Sequence, residues 1–492
     1  MSKLGTHISR LKFMNNERRM ALMIFPIGCI VRLIPELFAY PFPIGYDVIN
    51  YYMPMVTNFD EHWIQISSQF PLYVSILHLI KTGMGLTAHV IVVTIAILMF
   101  GMLSISIFFL SHKLLKVGIR YSLFVTLFSI FQIATLRTTW DLHRDIFAIS
   151  TMFLTFSLIG HNRKTELNWK YYLMILILSS LTVVADRMIG LLFTLSLLIY
   201  SFVVRDRSIR LCAMFVLSLF SIAIFTSHNF LDHILQETMN TLKVDPLSVS
   251  SSLSSHTYNP STLLNLFLVI DGLLVPTGIV GYKFLKNPIL KIPLIITIIG
   301  SFSWIAFPDK ASLVADRWIV LSGIFLSIFA AYGIIVLIQR LKIGSIFIIF
   351  VILTFILGAV IISGIGYEID PKFKPLLLYI VDDNNIRYFV PFNMQFNTVE
   401  IRDNAKVISS INWINNNSEK NALIIGDKYL DGFMELYLRD KRTFQTSDDL
   451  PFLKEYIMHS NSSPVYLIGS IDKNNINRNL YNNGFYSVQK IK

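Results

Sequence analysis

Cysteine is nearly absent. The two in the chain, Cys29 and Cys212, both lie inside apolar blocks, and no CxxC or Cys/His spacing occurs. This excludes a disulfide framework and a zinc-finger-type site, and leaves the redox compartment unmarked. Charge is scarce too: 15% of the residues are charged and 54% hydrophobic, with 38 Phe. A soluble chain of 492 residues would carry more charge and fewer long apolar blocks. No basic-aromatic motif accompanies the net charge of +11, so nucleic acid is set aside as a partner. There is no Gly-rich phosphate loop, no clear internal repeat, and no small-residue cleavage site after the first apolar run.

What is present is a series of apolar blocks of about 17–25 residues, the length that crosses a bilayer. They centre on 20–40, 87–111, 120–137, 143–160, 170–185, 188–204, 210–228, 262–284, 289–307, 317–338 and 343–365. The charge excess lies among these blocks. Residues 366–492 hold 15 Lys+Arg and 15 Asp+Glu, so the whole excess falls in 1–365. With the N-terminus inside, the inner loops carry cations such as Lys113, Lys116, Arg163, Lys164, Arg205, Arg207, Lys283, Lys286 and Arg340. The outer loops carry few (Lys81, Arg144, Arg187, Lys243, Lys310, Arg317), which is the positive-inside pattern. That parity holds only if Phe70–Ile80 is not a span. At 11 residues it is also too short, and it reads as a helix lying along the outer surface, with a second in 48–66.

Three regions follow: a cytoplasmic N-terminus (1–19), a polytopic α-helical membrane domain of about eleven spans (20–365), and an extracytoplasmic segment (366–492). In the last, helix-like 403–417, strand-like 422–427, helix-like 429–438 and 450–458 and strand-like 464–470 alternate as in a small α/β domain. Asn416 and Asn461 stand in Asn-x-Ser sequons, and the Ser-rich loop 229–261 reads as a lid or linker.

The outer loops collect ionisable residues: Asp47 in the first, Arg137 and Asp141-Leu142-His143-Arg144-Asp145 in the second, Asp186-Arg187, then Asp309-Lys310 and Asp316-Arg317. Such groups at span ends need partners or a function. Each has a plain alternative. Asp47 has the alternative of a loop acid or N-cap, and Asp141 and Asp145 that of caps of the following helix. Asp186-Arg187 and Asp316-Arg317 read as ion pairs closing turns, His143 as a hydrogen-bonding loop residue, and Tyr46, Tyr51, Tyr52 and Trp63 as an interfacial belt. Asp271 stands alone inside a span. Together, acids in four outer loops with arginines at helix ends suit a reaction that takes a proton from a hydroxyl and stabilises a departing phosphate. A divalent cation held by Asp47 and Asp141, Mg or Mn given oxygen ligands, is a further partner such a site could take.

The segment Pro43-Ile44-Gly45-Tyr46-Asp47-Val48-Ile49-Asn50-Tyr51-Tyr52 resembles the first outer loop of the GT-C superfamily of membrane glycosyltransferases. These include protein O-mannosyltransferases, aminoarabinose transferases of lipid A and oligosaccharyltransferase catalytic subunits. Pro71-Leu72-Tyr73 resembles their juxtamembrane helix, 137–145 their second acidic loop, and 315–333 the late helix that opens with a phosphate-binding Arg. No one subfamily is matched: Asp47 is a single acid, and Trp413 is followed by Ile-Asn. The resemblance implies a sugar carried on polyprenyl phosphate and an acceptor protein, lipid or glycan. It assigns Asp47 as the catalytic acidic residue, acting as general base, Asp141 as the second-loop acid, and Arg317 as the lipid-phosphate contact. Arg187, Asp186, Arg144, His143 and Tyr51 complete the expected substrate site. The rival readings are a transporter or flippase of lipid-linked sugars, which calls for repeats and broken helices, and a non-catalytic scaffold or sensor.

Overall fold

The computed structural model describes residues 2–61, 72–161, 169–228, 260–306, 315–341, 396–420, 422–439, 444–447, 464–470, 479–483 and 486–490, with a few single positions besides. The chain forms two compact units. One comprises Met1–Ile34, Ile64–Tyr73 and Ile95–Asn393; the other comprises Pro35–Trp63, Val74–Thr94 and Met394–Lys492.

The helices in order are α1 (Ser2–Ala39), α2 (Met53–Thr57), α3 (Leu72–Met84), α4 (Ala88–Leu110), α5 (Ile119–Ile130), α6 (Ile133–Asp141), α7 (His143–His161), α8 (Trp169–Ala185), α9 (Arg187–Val204), α10 (Arg207–His228), α11 (Pro260–Phe267), α12 (Val275–Phe284), α13 (Pro288–Ser301) and α14 (Ala315–Leu341). Five of these regions are long and apolar enough to cross a membrane, and two bent pairs raise the number to seven. α7, α8 and α13 also fall on expected spans but are not among the helices long and apolar enough to cross by themselves, and 343–365 lies mostly outside the described residues. The chain is a multi-pass membrane protein. The apolar segment after the first loop is the 13-residue α3, too short to span.

Local chemistry fixes several boundaries. Asp186 caps α9 by accepting from Met188 N and Ile189 N at 2.8 and 3.0 Å. Asn287 accepts from Ile289 N at 3.2 Å, and Pro288 opens α13, where a missing N–H costs nothing. Two expected spans are broken. Gln132 adopts extended backbone, so α5 and α6 meet at 61°, and the stretch read as an outer loop, Arg137 to Asp141, is instead helical. A π turn at Leu268–Gly272 separates α11 from α12, and that pair bends by 60°.

Helix α14 is the core of the first unit. Of its most apolar window 89% is buried against protein, whereas for α10 the figure is 22% and residues such as Leu211, Met214 and Phe225 are left to face lipid. Helix α12 packs closely on α14. A Cβ at Gly281 would run into the Phe329 carbonyl, and one at Gly333 into the Thr277 carbonyl.

The second unit contains α15 (Ile401–Asn417), α16 (Asp431–Tyr437) and a five-stranded sheet. The strands are β1 (Leu423–Asp427), β2 (Phe444–Ser447), β3 (Val465–Ser470), β4 (Asn479–Asn482) and β5 (Tyr486–Lys490), in spatial order β2-β1-β3-β5-β4. The first three are parallel, and β5 runs antiparallel to both β3 and β4. This is the expected α/β arrangement, with β2, β4 and β5 added. The expected helix at 450–458 lies outside the described residues, as do Asn461, Asp309, Lys310 and loop 229–259.

The α12–α14 contact gives a direct prediction. Gly333→Ala places a methyl against the Thr277 backbone, which cannot swing away as a side chain can. The substitution should destabilise the purified protein by roughly 1–3 kcal/mol, read as a lower thermal midpoint in detergent. An unchanged midpoint would contradict the packing.

Candidate active site

The second acidic segment is built on the last two turns of α6. Arg137 and Asp141 stand four residues apart on one helix face, and Arg137 Nη1 donates to Asp141 Oδ2 at 3.0 Å. The guanidinium also lies 4.7 Å above the Trp140 ring, which is fully buried. The plain alternative for Asp141, a cap of the next helix, is not what the fold shows: Asp141 is the final residue of α6. A carboxylate at a helix C-terminus opposes the helix dipole, and the Arg137 pair offsets that cost. Leu142 breaks the helix, and α7 starts at His143.

Asp145, in the first turn of α7, is the hub of the wider network. Its carboxyl hydrogen-bonds Asp186 and lies in the field of Arg317 and Arg144. Asp316 in turn feels Arg317 and Arg137. Four helices, α6, α7, α9 and α14, therefore contribute one continuous set of three arginines and four aspartates. Asp141, Asp145 and Asp186 are buried, and the arginines are half-buried. Of the expected substrate residues, Arg144, Asp186 and Arg317 are brought together here. Arg187 is the half-buried first residue of α9.

Behind this network stands a layer that the sequence reading passed over. Arg32 of α1 is fully buried, and its Nε donates to the Thr139 carbonyl at 3.1 Å. The Tyr73 hydroxyl lies 3.4 Å from His143 Nδ1. Burial pushes the Tyr73 phenol far above its ordinary pKa, against the opposing pull of Arg32, so it stays protonated. Together Arg32 and Tyr73 hold both ends of the short segment 139–143 that carries Asp141. A signal for Arg32 existed: an ionisable residue within an apolar span is costly and calls for a partner.

Asp47 belongs to the second unit. It precedes a π turn, Val48–Tyr52, but caps none of its N–H groups, so the capping alternative is not realised. It is half-buried, as is Tyr51, whose ring meets Tyr52 edge-on at 5.3 Å. The loop is held by residues some 350 positions away in sequence. Gly45, at φ 105°, donates its N–H to the Phe396 carbonyl at 3.0 Å. Asn397 Nδ2 donates to the Pro43 carbonyl at 3.3 Å, and Gly432 N donates to Asn50 Oδ1 at 3.1 Å. A Cβ at Gly432 would collide with the Ile49 carbonyl. Below the loop, Lys81 Nζ donates to the Val56 and Thr57 carbonyls at 2.9 and 3.1 Å, closing α2. Phe59 stacks on His78 at 4.0 Å, while Trp63 is exposed.

Among the described residues no group of three or more His, Cys, Asp or Glu converges, Asp141 is engaged by Arg137, and His143 faces Tyr73.

No protein-family model matches the sequence, and no curated protein matches it. Solved structures do. ArnT from Cupriavidus metallidurans in the apo state is similar over 98% of both chains, at 12% identity and a TM-score of 0.54. The same protein bound to undecaprenyl phosphate gives 12% identity, a TM-score of 0.55 and 98% of both chains. The apo oligosaccharyltransferase of Archaeoglobus fulgidus is similar over 92% of this chain and 69% of its own, at 10% identity and a TM-score of 0.51. The chain shares its fold with these proteins. At such low identity the likeness extends to the path of the chain and not to residue roles.

The mounting of the Asp47 loop can be tested by itself. Gly432→Ala forces the Ile49 backbone away and should raise amide exchange across 45–52 by about tenfold, leaving strands 423–427 and 465–470 protected. Unchanged exchange at 45–52 would show that the close approach does not hold the loop.

Proposed function

We propose that the protein is an inverting membrane glycosyltransferase that takes a sugar from a polyprenyl-phosphate donor and passes it to an acceptor hydroxyl on the outer face of the membrane. The observation that carries this reading is the likeness along nearly the full chain to ArnT, a protein solved with undecaprenyl phosphate bound. The buried arginine–aspartate network supports it independently. Guanidinium groups at the heads of helices bind phosphate bidentately and stabilise charge as it develops there. The positive-inside pattern supports an inner N-terminus and an outer α/β domain.

In this reading Asp47 accepts the proton of the acceptor hydroxyl. The freed oxygen attacks the anomeric carbon, the bond from that carbon to the phosphate oxygen breaks, and polyprenyl phosphate departs with its electron pair. Displacement from the opposite side inverts the anomeric configuration. Arg317, with Arg144 and Arg187, meets the phosphate charge. Asp141, fixed by Arg137 and backed by His143, orients the sugar, and Asp186 with Asp145 keeps the arginines in register. Tyr51 and its neighbours offer aromatic faces to the acceptor, which is a protein, a lipid or a glycan. Every step uses side chains of this protein alone.

The role of Asp47 is tested by Asp47→Asn in reconstituted membranes. Loss of a general base lowers turnover by about 10²–10⁴-fold. The expected result is that drop with unchanged thermal stability and unchanged affinity for polyprenyl phosphate. A folded variant that transfers sugar at the wild-type rate would remove Asp47 as the base.

A further inference from the structure

Asp271 is fully buried in the first unit, and the mechanism above makes no use of it. It lies in the π turn at the break between α11 and α12. An acid at this depth is expensive to bury and needs a partner. Its Oδ2 accepts from the Ser322 hydroxyl at 2.5 Å, shorter than the 2.9 Å from that hydroxyl to the Ile319 carbonyl of its own helix. Ser301 Oγ, at the end of α13, lies 3.2 Å from Ser322 Oγ. Ser301 and Ser322 are themselves buried. The other carboxyl oxygen, Oδ1, has no hydrogen-bond partner and lies over Gly323; a Cβ there would be 2.7 Å from Oδ1 and 2.7 Å from the Ala134 Cβ of α6.

The carboxyl thus sits where the π turn, α6, α13 and α14 meet. Ser322 is five residues below Arg317, about 7–8 Å along the helix, and Ala134 is one turn before Arg137. The close contact of α12 with α14 lies at Gly281 and Gly333, more than four turns from Arg317, so the register at the Arg317 end gains from a further, directional tie. A short, directional hydrogen bond in a dry setting fixes both depth and rotation.

We infer that Asp271 is a positioning residue: through Ser322 it sets the register of α14, and so aims Arg317 at the phosphate of the lipid donor. The inference rests on the reading of Arg317 as the phosphate contact.

Binding of undecaprenyl phosphate to the full-length protein in nanodiscs tests it, alongside amide exchange at 316–321. Asp271→Ala and Ser322→Ala should each weaken lipid binding by about tenfold and raise exchange at 316–321. Asp271→Asn, which can still accept from Ser322, should bind within about threefold of the wild type and melt close to it, separating positioning from failure to fold. Because the effect passes through Arg317, the double variant Asp271→Ala/Arg317→Ala should bind no more weakly than Arg317→Ala. Wild-type binding and exchange in Asp271→Ala, or a fully additive double variant, would overturn the inference. Unaltered binding in Arg317→Ala would overturn the phosphate reading instead, and the exchange at 316–321 would still decide whether Asp271 holds α14.

Discussion

Everything in the first unit depends on how charge is kept at the ends of apolar helices. An isolated guanidinium or carboxylate in a low-dielectric setting is far too costly to bury, and it becomes tolerable only when paired and hydrogen-bonded. Arg137, Arg144 and Arg317 against Asp141, Asp145, Asp186 and Asp316 meet that condition as one network. Removing a single member would leave its partner uncompensated.

The second unit applies a different device. The Pro/Tyr loop makes no regular structure of its own beyond a π turn and one short helix. It gains its shape from the α/β domain through hydrogen bonds at Phe396, Asn397 and Gly432. The domain is therefore a mount for the loop that carries Asp47, a role its sheet topology alone would not suggest. The buried end of the sheet is polar as well. Burial, with the charges of Asp427 and Asp403, keeps the Tyr486 phenol protonated, as a buried hydroxyl beside carboxylates must be.

Much of the fold was legible because it is written in local composition. Apolar block lengths gave the spans, charge parity demoted the stretch that became α3, and Leu423–Asp427 and Val465–Ser470 read as strands because both are fully apolar at their centres. Strands β2, β4 and β5 were missed because Phe444–Ser447, Asn479–Asn482 and Tyr486–Lys490 are short and largely polar, and only sheet pairing makes them strands. The candidate site was legible in its residue types and not in its wiring. Sequence placed Asp141 and Asp145 together but could not tell that Asp145 would be the hub and Asp141 a helix end. Arg32 was hidden by the apolar run around it. The tie between Gly432 and Asn50 spans more than 380 residues, and no local pattern encodes it.

The account stands on a phosphate that leaves while attached to a lipid. The direct measurement supplies reconstituted protein with one labelled sugar in two forms, linked to polyprenyl phosphate or to a nucleotide, and follows both transfer and the lipid product. The account predicts transfer from the lipid-linked form alone, with one free polyprenyl phosphate released per sugar moved and the anomeric configuration inverted. Transfer from the nucleotide-linked form, or retention of configuration, would contradict it.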